Sequence, residues 1–576
     1  MKKFLLFGAA LIAASVVQAS RDDPERTVIT RQLEVVKGSG YMVAAANPHA
    51  VTAGEKILAA GGSAMDAAVA VQTTLGLVEP QSSGIGGGAF ILYWSAKDQK
   101  LYTLDARERA PAAASADQFY VDGKPLSWRQ AIVGGMAVGV PGIIKGLETA
   151  QQRFGKLSWQ QLFDHPIDLA TRGFEVSPRL AMLVAMKLHP GLTQLPPAND
   201  YFYPQGEPIA AGSILKNTDY ASTLTAIAKH GSKAFYQGEL AQQIANSVQQ
   251  AAVNPGRLTE QDLSSYQATW REPLCGPYRE YQVCGMMPPS SGGLAVLQML
   301  GILQHFPIDQ YDLNDADLWH LYSQASRIAF ADRERYAADA DFVDVPLKAL
   351  LAPHYLEARA QSIDMQTDMG KAQALELDQK LSYANDDSYS LPSTSHFVII
   401  DAEGNAVSMT TSIEMAFGSS LMVGGFLLNN QLTDFSLSYE REGKLVANRV
   451  EPGKRPRSSM SPMMVFKDEQ PVLLVGSPGG SRIINYVAKT LIAHLDLGLD
   501  IQQSVNAPNV SHTNGKALML EEGLVSETLA EQLRQKGHTI QLRDMNSGVH
   551  AIAIKGNNFY GAADPRREGM VATAPN

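Results

Sequence analysis

Only two cysteines, Cys275 and Cys284, occur in 576 residues. Two cysteines and scattered histidines do not supply the four ligands of a structural metal site, so no metal is expected. Basic runs are missing, and the net charge is −10. Nucleic acid is therefore not expected as a partner, since phosphate binding wants a basic face. Past the N-terminus no apolar run reaches the ~18 residues that span a bilayer, so no membrane partner is expected either. Internal repeats and coiled-coil heptads are also absent. What remains has the composition of an ordinary globular protein, long enough for several domains or one large α/β unit.

The N-terminus reads as a secretory leader over residues 1–19. Lys2 and Lys3 form its basic start, Phe4 to Val17 its short apolar stretch, and Val17-Gln18-Ala19 a small-x-small cleavage site. No cysteine follows that site, so no lipid anchor is indicated. The mature chain is expected in the periplasm or secreted. Export permits oxidation. A hairpin centred on Arg279-Glu280 would set Cys275 opposite Cys284, which favours a disulfide over two buried thiols.

Residues 20–40 are polar and aperiodic and read as an arm. Tyr41–Ala46 is a strand candidate. Helices are expected from about Ala50 to Ala60 and from Ala64 to Leu75, the second opened by a capping-box-like Ser63-Ala64-Met65-Asp66. The glycine-rich loop from Glu79 to Gly88 lacks the Lys-Ser/Thr of a phosphate loop. It reads as a close backbone crossing. A hairpin, Ala89–Trp94 with Leu101–Leu104, delivers Asp105-Ala106-Arg107-Glu108 at its exit. Residues 159–250 are mostly helical by pattern. Pro288-Pro289-Ser290-Ser291-Gly292-Gly293 opens a further helix, and another spans roughly Asp315 to Ala338. Residues 361–392 are polar and read as an exposed, poorly packed connector. Late in the chain a strand at 471–475 precedes a helix at 481–494, and two more strands are expected at 551–555 and 558–562.

The informative stretch runs from Ser393 to Gly480. Ser393-Thr394-Ser395-His396 precedes an apolar run, and a second β-like run ends at Ser412-Ile413-Glu414. Asn429-Asn430-Gln431-Leu432-Thr433-Asp434, Lys454-Arg455-Pro456-Arg457-Ser458-Ser459-Met460-Ser461-Pro462 and Gly476-Ser477-Pro478-Gly479-Gly480 follow. Singly each piece reads as a turn. In this order they resemble the small-subunit half of γ-glutamyltranspeptidases, which are N-terminal-nucleophile hydrolases. Upstream, the Gly-Gly-Ser-Ala-Met-Asp-Ala-Ala helix, Ser83 to Gly88, Asp-Ala-Arg-Glu, Val140-Pro141-Gly142 and Pro-Pro-Ser-Ser-Gly-Gly extend the resemblance over nearly the whole mature chain.

The resemblance implies an α/β fold, the four-layer αββα sandwich of N-terminal-nucleophile hydrolases. It implies cleavage between Ser393 and Thr394, giving a large subunit 20–393 and a small subunit 394–576 that form one intertwined heterodimer. Such cleavage makes chemical sense. A threonine hydroxyl is weak without an adjacent base, and an amide is not basic. A free α-amine on Thr394, with an unperturbed pKa of about 7.7–8.0, supplies that base. Gly479 and Gly480, between a strand and a helix, would stabilise the oxyanion through helix-start N–H groups.

By the same resemblance Arg107, Ser458 and Ser459 bind a substrate α-carboxylate, and Gln431 and Asp434 an α-ammonium. Glu414 stands where many relatives have Asn and others Glu. Ser412 stands where a second Thr is usual, and it keeps a hydroxyl for Thr394. The implied substrates are glutathione and related γ-glutamyl amides, with water, amino acids or peptides as acceptors, and the resemblance implies no cofactor. Two rivals remain: a glutaryl-removing cephalosporin acylase on the same framework, and a catalytically dead γ-glutamyl-binding protein. Residues 435–457, polar in their middle, are expected to form a lid with Tyr439 as its covering aromatic.

Overall fold

A computed structural model describes Thr27 and residues 33–376, 382–386, 388 and 393–575. The leader expected over residues 1–19 lies outside the described residues. No helix among those described is long and apolar enough to cross a membrane.

Two seven-stranded sheets organise the chain, and every neighbouring pair of strands in them is antiparallel. In the first sheet the order is Val36–Gly38, Asn558–Ala563, His550–Lys555, Gln470–Gly476, Met463–Lys467, Tyr281–Gly285 and Leu274–Tyr278. In the second it is Met570–Thr573, Met42–Ala45, Ser395–Ile400, Ala406–Ser412, Gly88–Ser95, Lys100–Ala106 and Thr269–Arg271.

The apolar run after the proposed nucleophile shows why the layers stack. Side chains alternate across a strand. Phe397 and Ile399 pack in one core with the helices Pro48–Ala59, Ala64–Val78 and Ile143–Phe154. Val398 and Ile400 point the other way, into a core shared with the first sheet and the helices Gly292–Leu303, Ala316–Tyr336 and Ile483–Leu495. The strand is apolar throughout because both its faces are covered. The result is helices, sheet, sheet, helices: the αββα sandwich.

Ser63 caps the Ala64–Val78 helix reciprocally, its hydroxyl accepting from Asp66 N–H at 3.1 Å and its own N–H donating to the Asp66 carboxylate at 2.9 Å. Cys275 and Cys284 face each other across their hairpin and are joined by a disulfide.

Two expectations need correction. The arm at 20–40 is not wholly irregular: Val36–Gly38 pairs with Asn558–Ala563 as an edge strand. Backbone hydrogen bonding recruits it, and three residues carry no readable period. The connector at 361–392 is not simply exposed. Asp386 is buried, its backbone N–H donates to Glu334 O at 2.8 Å, and Ala384 bridges to Val446. Part of its polarity is buried ion pairing, Asp368 with Arg327 at 2.7 Å and Asp386 with Arg457 at 2.9 Å, which composition alone does not separate from solvation.

Candidate active site

Register brings the two proposed hydroxyls together. Ser395 pairs with Thr411, so Thr394 and Ser412 leave the second sheet side by side. Their Oγ atoms lie 3.4 Å apart. The chain is continuous through Ser393–Thr394. The Thr394 hydroxyl donates to the Ser393 carbonyl oxygen, and the Ser412 hydroxyl donates to the same oxygen at 3.2 Å. Two hydroxyls therefore converge on the carbonyl of the bond expected to break. Ser412 Oγ is held in turn by the Glu414 N–H at 2.8 Å, and the Ser393 hydroxyl donates to Gln81 O at 2.8 Å. Residues 393–395 are buried.

The glycine-rich loop packs directly against this corner. A Cβ on Gly87 would collide with Ser412 O, and one on Gly88 with the Glu108 carboxylate. The stretch is a close backbone approach.

Gly479 and Gly480 follow the strand Gln470–Gly476, with φ of 141° and 58°. Gly480–Arg482 is a 3-10 turn leading into the helix Ile483–Leu495, whose first N–H groups lack intrahelical partners. A side chain at Gly479 would meet the Tyr486 ring at 2.6 Å. Arg567 links this turn to Thr394. Its Nη1 donates to Thr394 O at 3.2 Å, and with Pro478 it encloses Gly548. Arg567 was not singled out from sequence. The signal available was its place in Asp564-Pro565-Arg566-Arg567, directly after the strand Asn558–Ala563.

The recognition side is a charge cluster. Arg107 leaves the strand Lys100–Ala106 fully buried. Its Nη2 donates to the Asp434 carboxylate and, at 3.1 Å, to Arg457 O, while Nε donates to Pro456 O at 3.2 Å. Nη1 faces Glu108 at 3.6 Å. Only that arm of the guanidinium is left for a ligand, which is less than the free two-pronged fork that the motif suggests. Gln431 Nε2 donates to Glu414 at 2.8 Å and to Asp434 at 2.9 Å.

Three carboxyl groups, Glu108, Glu414 and Asp434, thus crowd one arginine. Burial, then the Asp434 charge, pushes Glu414 well above the usual carboxylate range. Burial pushes Glu108 up to about 8. Among the described residues, Gln431 Oε1 and both Glu108 oxygens have no hydrogen-bond donor. Such a site is short of one cation with several N–H groups.

Ser458 and Ser459 follow the two carbonyls that Arg107 grips. The Ser458 hydroxyl oxygen accepts from Met460 N–H at 3.1 Å, and that of Ser459 from Arg333 Nη2 at 2.6 Å. All ten sequence-derived residues of the catalytic and binding sets are buried, and hydrogen bonds or ion pairs join Arg107, Asp434, Gln431 and Glu414 into one network. No group of three or more His, Cys, Asp or Glu among the described residues is arranged to hold a metal ion.

A family model for gamma-glutamyltranspeptidase matches residues 50–574. The chain belongs to that family. A glutathione hydrolase proenzyme of Bacillus subtilis (strain 168) is 38% identical over 98% of this chain and 96% of its own length. One from Escherichia coli (strain K12) is 36% identical over 97% and 96%. Among solved structures, a cephalosporin acylase from Bacillus halodurans superposes with a TM-score of 0.85 at 28% identity, covering 95% of this chain and 98% of that one. Family membership does not itself choose between γ-glutamyl and other acyl groups. That choice falls to the cluster around Arg107.

Proposed function

We propose that this protein is a self-cleaving γ-glutamyltransferase and glutathione hydrolase. In the first stage the Thr394 hydroxyl attacks the Ser393 carbonyl carbon, the Ser393–Thr394 amide becomes an ester, and water releases the Ser393 carboxylate. Thr394 is left with a free α-amine, the base its hydroxyl needs. In the second stage the same hydroxyl attacks the γ-carbonyl of the donor. N–H groups at Gly479 and Gly480 take the oxyanion. The amine departs with the proton, for glutathione as cysteinylglycine. Water then releases glutamate from the γ-glutamyl-Thr394 ester, or an amino acid or peptide amine takes the acyl group.

Arg107, Ser458 and Ser459 would hold the donor's α-carboxylate, and Glu414, Gln431 and Asp434 its α-ammonium. The observation that carries this reading is the carboxyl excess around Arg107, together with the unpartnered Gln431 Oε1. A glutaryl group has no ammonium to place there, so the acylase alternative leaves Gln431 Oε1 and the Glu108 oxygens without a donor. The binding-protein alternative gives no reason for two hydroxyls on the Ser393 carbonyl. Subunits 20–393 and 394–576 would stay together after cleavage, in the periplasm or outside the cell.

Residues 435–457 would act as a lid. Phe435 and Val450 anchor this segment in a small core, and Glu440–Arg441 with Lys444–Leu445 form an exposed hairpin. The Tyr439 ring lies 5.4 Å from that of Tyr120. Deleting 437–445 should raise hydrolysis of γ-glutamyl polymers and lower transfer relative to hydrolysis; unchanged values would make the segment only a loop.

The deciding assay compares γ-glutamyl and glutaryl anilides, with and without a dipeptide acceptor. Preference for the γ-glutamyl donor and stimulation by the dipeptide are expected. Preference for glutaryl would overturn the reading.

A further inference from the structure

Arg333 sits in the last turn of the helix Ala316–Tyr336, with 6% of its surface exposed. No carboxylate among the described residues forms an ion pair with it. Its neighbour Arg457 differs: that guanidinium pairs with Asp386 at 2.9 Å and donates to Arg333 O at 3.1 Å. Arg333 instead spends its donors on two serine hydroxyls, Nε on Ser291 at 2.8 Å and Nη2 on Ser459 at 2.6 Å. Glu334, Asp386 and Asp434 act on it only from beyond ion-pair distance, and burying a guanidinium without a contacting carboxylate is costly. Burial and the Arg457 charge push it down to about 9, which leaves it protonated near neutral pH. A cation kept under these conditions fits a place where an anion arrives.

Hydroxyl accounting says what it does there. A serine hydroxyl has one proton to give and two lone pairs. Arg333 fills a lone pair of Ser459, and Met460 N–H fills one of Ser458. Neither hydroxyl donates its proton to any described residue. Both are thereby set as donors, the role an incoming carboxylate requires.

The Pro-Pro-Ser-Ser-Gly-Gly motif completes the arrangement. Ser291 Oγ accepts from Arg333 and donates to Ser458 O at 2.7 Å, Ser290 Oγ donates to Met460 O at 2.8 Å, and Ser458 N–H donates to Pro289 O at 2.9 Å. The guanidinium and the Ser458–Met460 backbone are thus pinned to one support. Arg107, largely spent on Asp434 and two carbonyls, leaves room for a second cation at this end.

We propose that Arg333 is the positioning residue of the α-carboxylate subsite: it holds the Ser459 oxygen so that the hydroxyl proton points to the donor's carboxylate, and it adds positive charge behind it. The inference rests on Ser458 and Ser459 gripping that carboxylate.

The test compares two donors that differ only there, a γ-glutamyl anilide and a 4-aminobutanoyl anilide. Hydrogen bonds to charged groups are worth enough that Arg333→Met should raise KM for the γ-glutamyl donor about 10- to 100-fold. Its kcat should hold within about threefold, and kcat/KM for the 4-aminobutanoyl donor within about twofold, as expected of an interaction made equally in ground and transition states. Combining Arg333→Met with Ser459→Ala should cost clearly less than the sum of the two single losses, because part of the Arg333 effect runs through the Ser459 hydroxyl. Conversion to two subunits on a gel reports folding. If Arg333→Met does not fold, Arg333→Lys carries the same comparison, with a smaller loss that is still confined to the γ-glutamyl donor. Equal losses on both donors, or additive losses in the double variant, would overturn the role of Arg333. An unmutated enzyme that takes both donors equally well would overturn the carboxylate reading beneath it, and is told apart because it needs no variant.

Discussion

The two sides of the site are built differently. The reacting side stands on strand ends: Thr394 and Ser412 are fixed by the register of one antiparallel pair, and Gly479 closes the next sheet's strand. The recognition side is drawn from four stretches, around Arg107, Glu414, Gln431–Asp434 and Pro456–Ser459, whose charged and amide side chains meet in hydrogen bonds and an ion pair, with backbone bonds such as Ala110 N–H to Lys454 O at 2.8 Å and Asn430 N–H to Ile413 O at 3.2 Å beside them. Sheet register positions hydroxyls without any charge. The loops hold three carboxyls and an arginine out of water, and their geometry depends on mutual pairing. The reacting side should therefore tolerate no loss of its nucleophile and the recognition side should fail by degrees.

The largest effect should come from Thr394→Ala. It removes the attacking oxygen of both stages, so one uncleaved band and loss of activity by more than about 10³-fold are expected. Two bands on a gel would refute the assignment of Thr394.

A smaller and one-sided effect should follow Arg107→Lys. Charge is kept, but the fork that spans Asp434, Pro456 O and Arg457 O is lost. Self-cleavage involves no donor and should proceed, while kcat/KM for γ-glutamyl amides should fall by about 10²-fold, the scale of a lost charged contact. Unchanged turnover would remove Arg107 from the site; blocked self-cleavage would erase the distinction between the two sides.

The smallest effect concerns stability. Glu108 is raised by burial from 4.5 to about 8. Below about pH 4.5 both folded and unfolded states hold the proton; between there and about pH 8 only the folded state does. Folding must then take up a proton, so this group lowers stability progressively as pH rises through that window. Glu108→Gln removes the penalty. Its urea midpoint should gain on the unmutated protein as pH rises from 5 to 8, with little difference at pH 4. A constant gap at every pH would mean that Glu108 is already ionised when folded.

Much of the reacting side was legible in the chain. The apolar run after Thr394, the two β-like segments and the strand–Gly-Gly–helix order are local patterns, and period-2 alternation and helix starts are short-range signals. The boundaries shifted by only a few residues: the helix expected from Ala64 to Leu75 runs on to Val78. The recognition residues were legible only through family resemblance, because an isolated Arg or Asp looks like a solvated charge until its partner is known. Arg333, Arg567 and Asp386 went unnoticed for that reason. Each lies in a polar stretch, and each is buried by segments far away in the chain.

The sequence by itself determined the two β-like runs that become the hairpin carrying Thr394 and Ser412, while the layered sandwich and the roles of those hydroxyls were read from the family resemblance. The sequence also set which chemistry a threonine behind a cleavable bond can perform. Only the tertiary structure decided that three carboxyls share one arginine, that Arg107 has a single arm to spare, and that Arg333 stands behind Ser459 without a carboxylate partner. Those facts depend on burial and on contacts across more than a hundred residues of chain, where desolvation rather than residue type sets the energy.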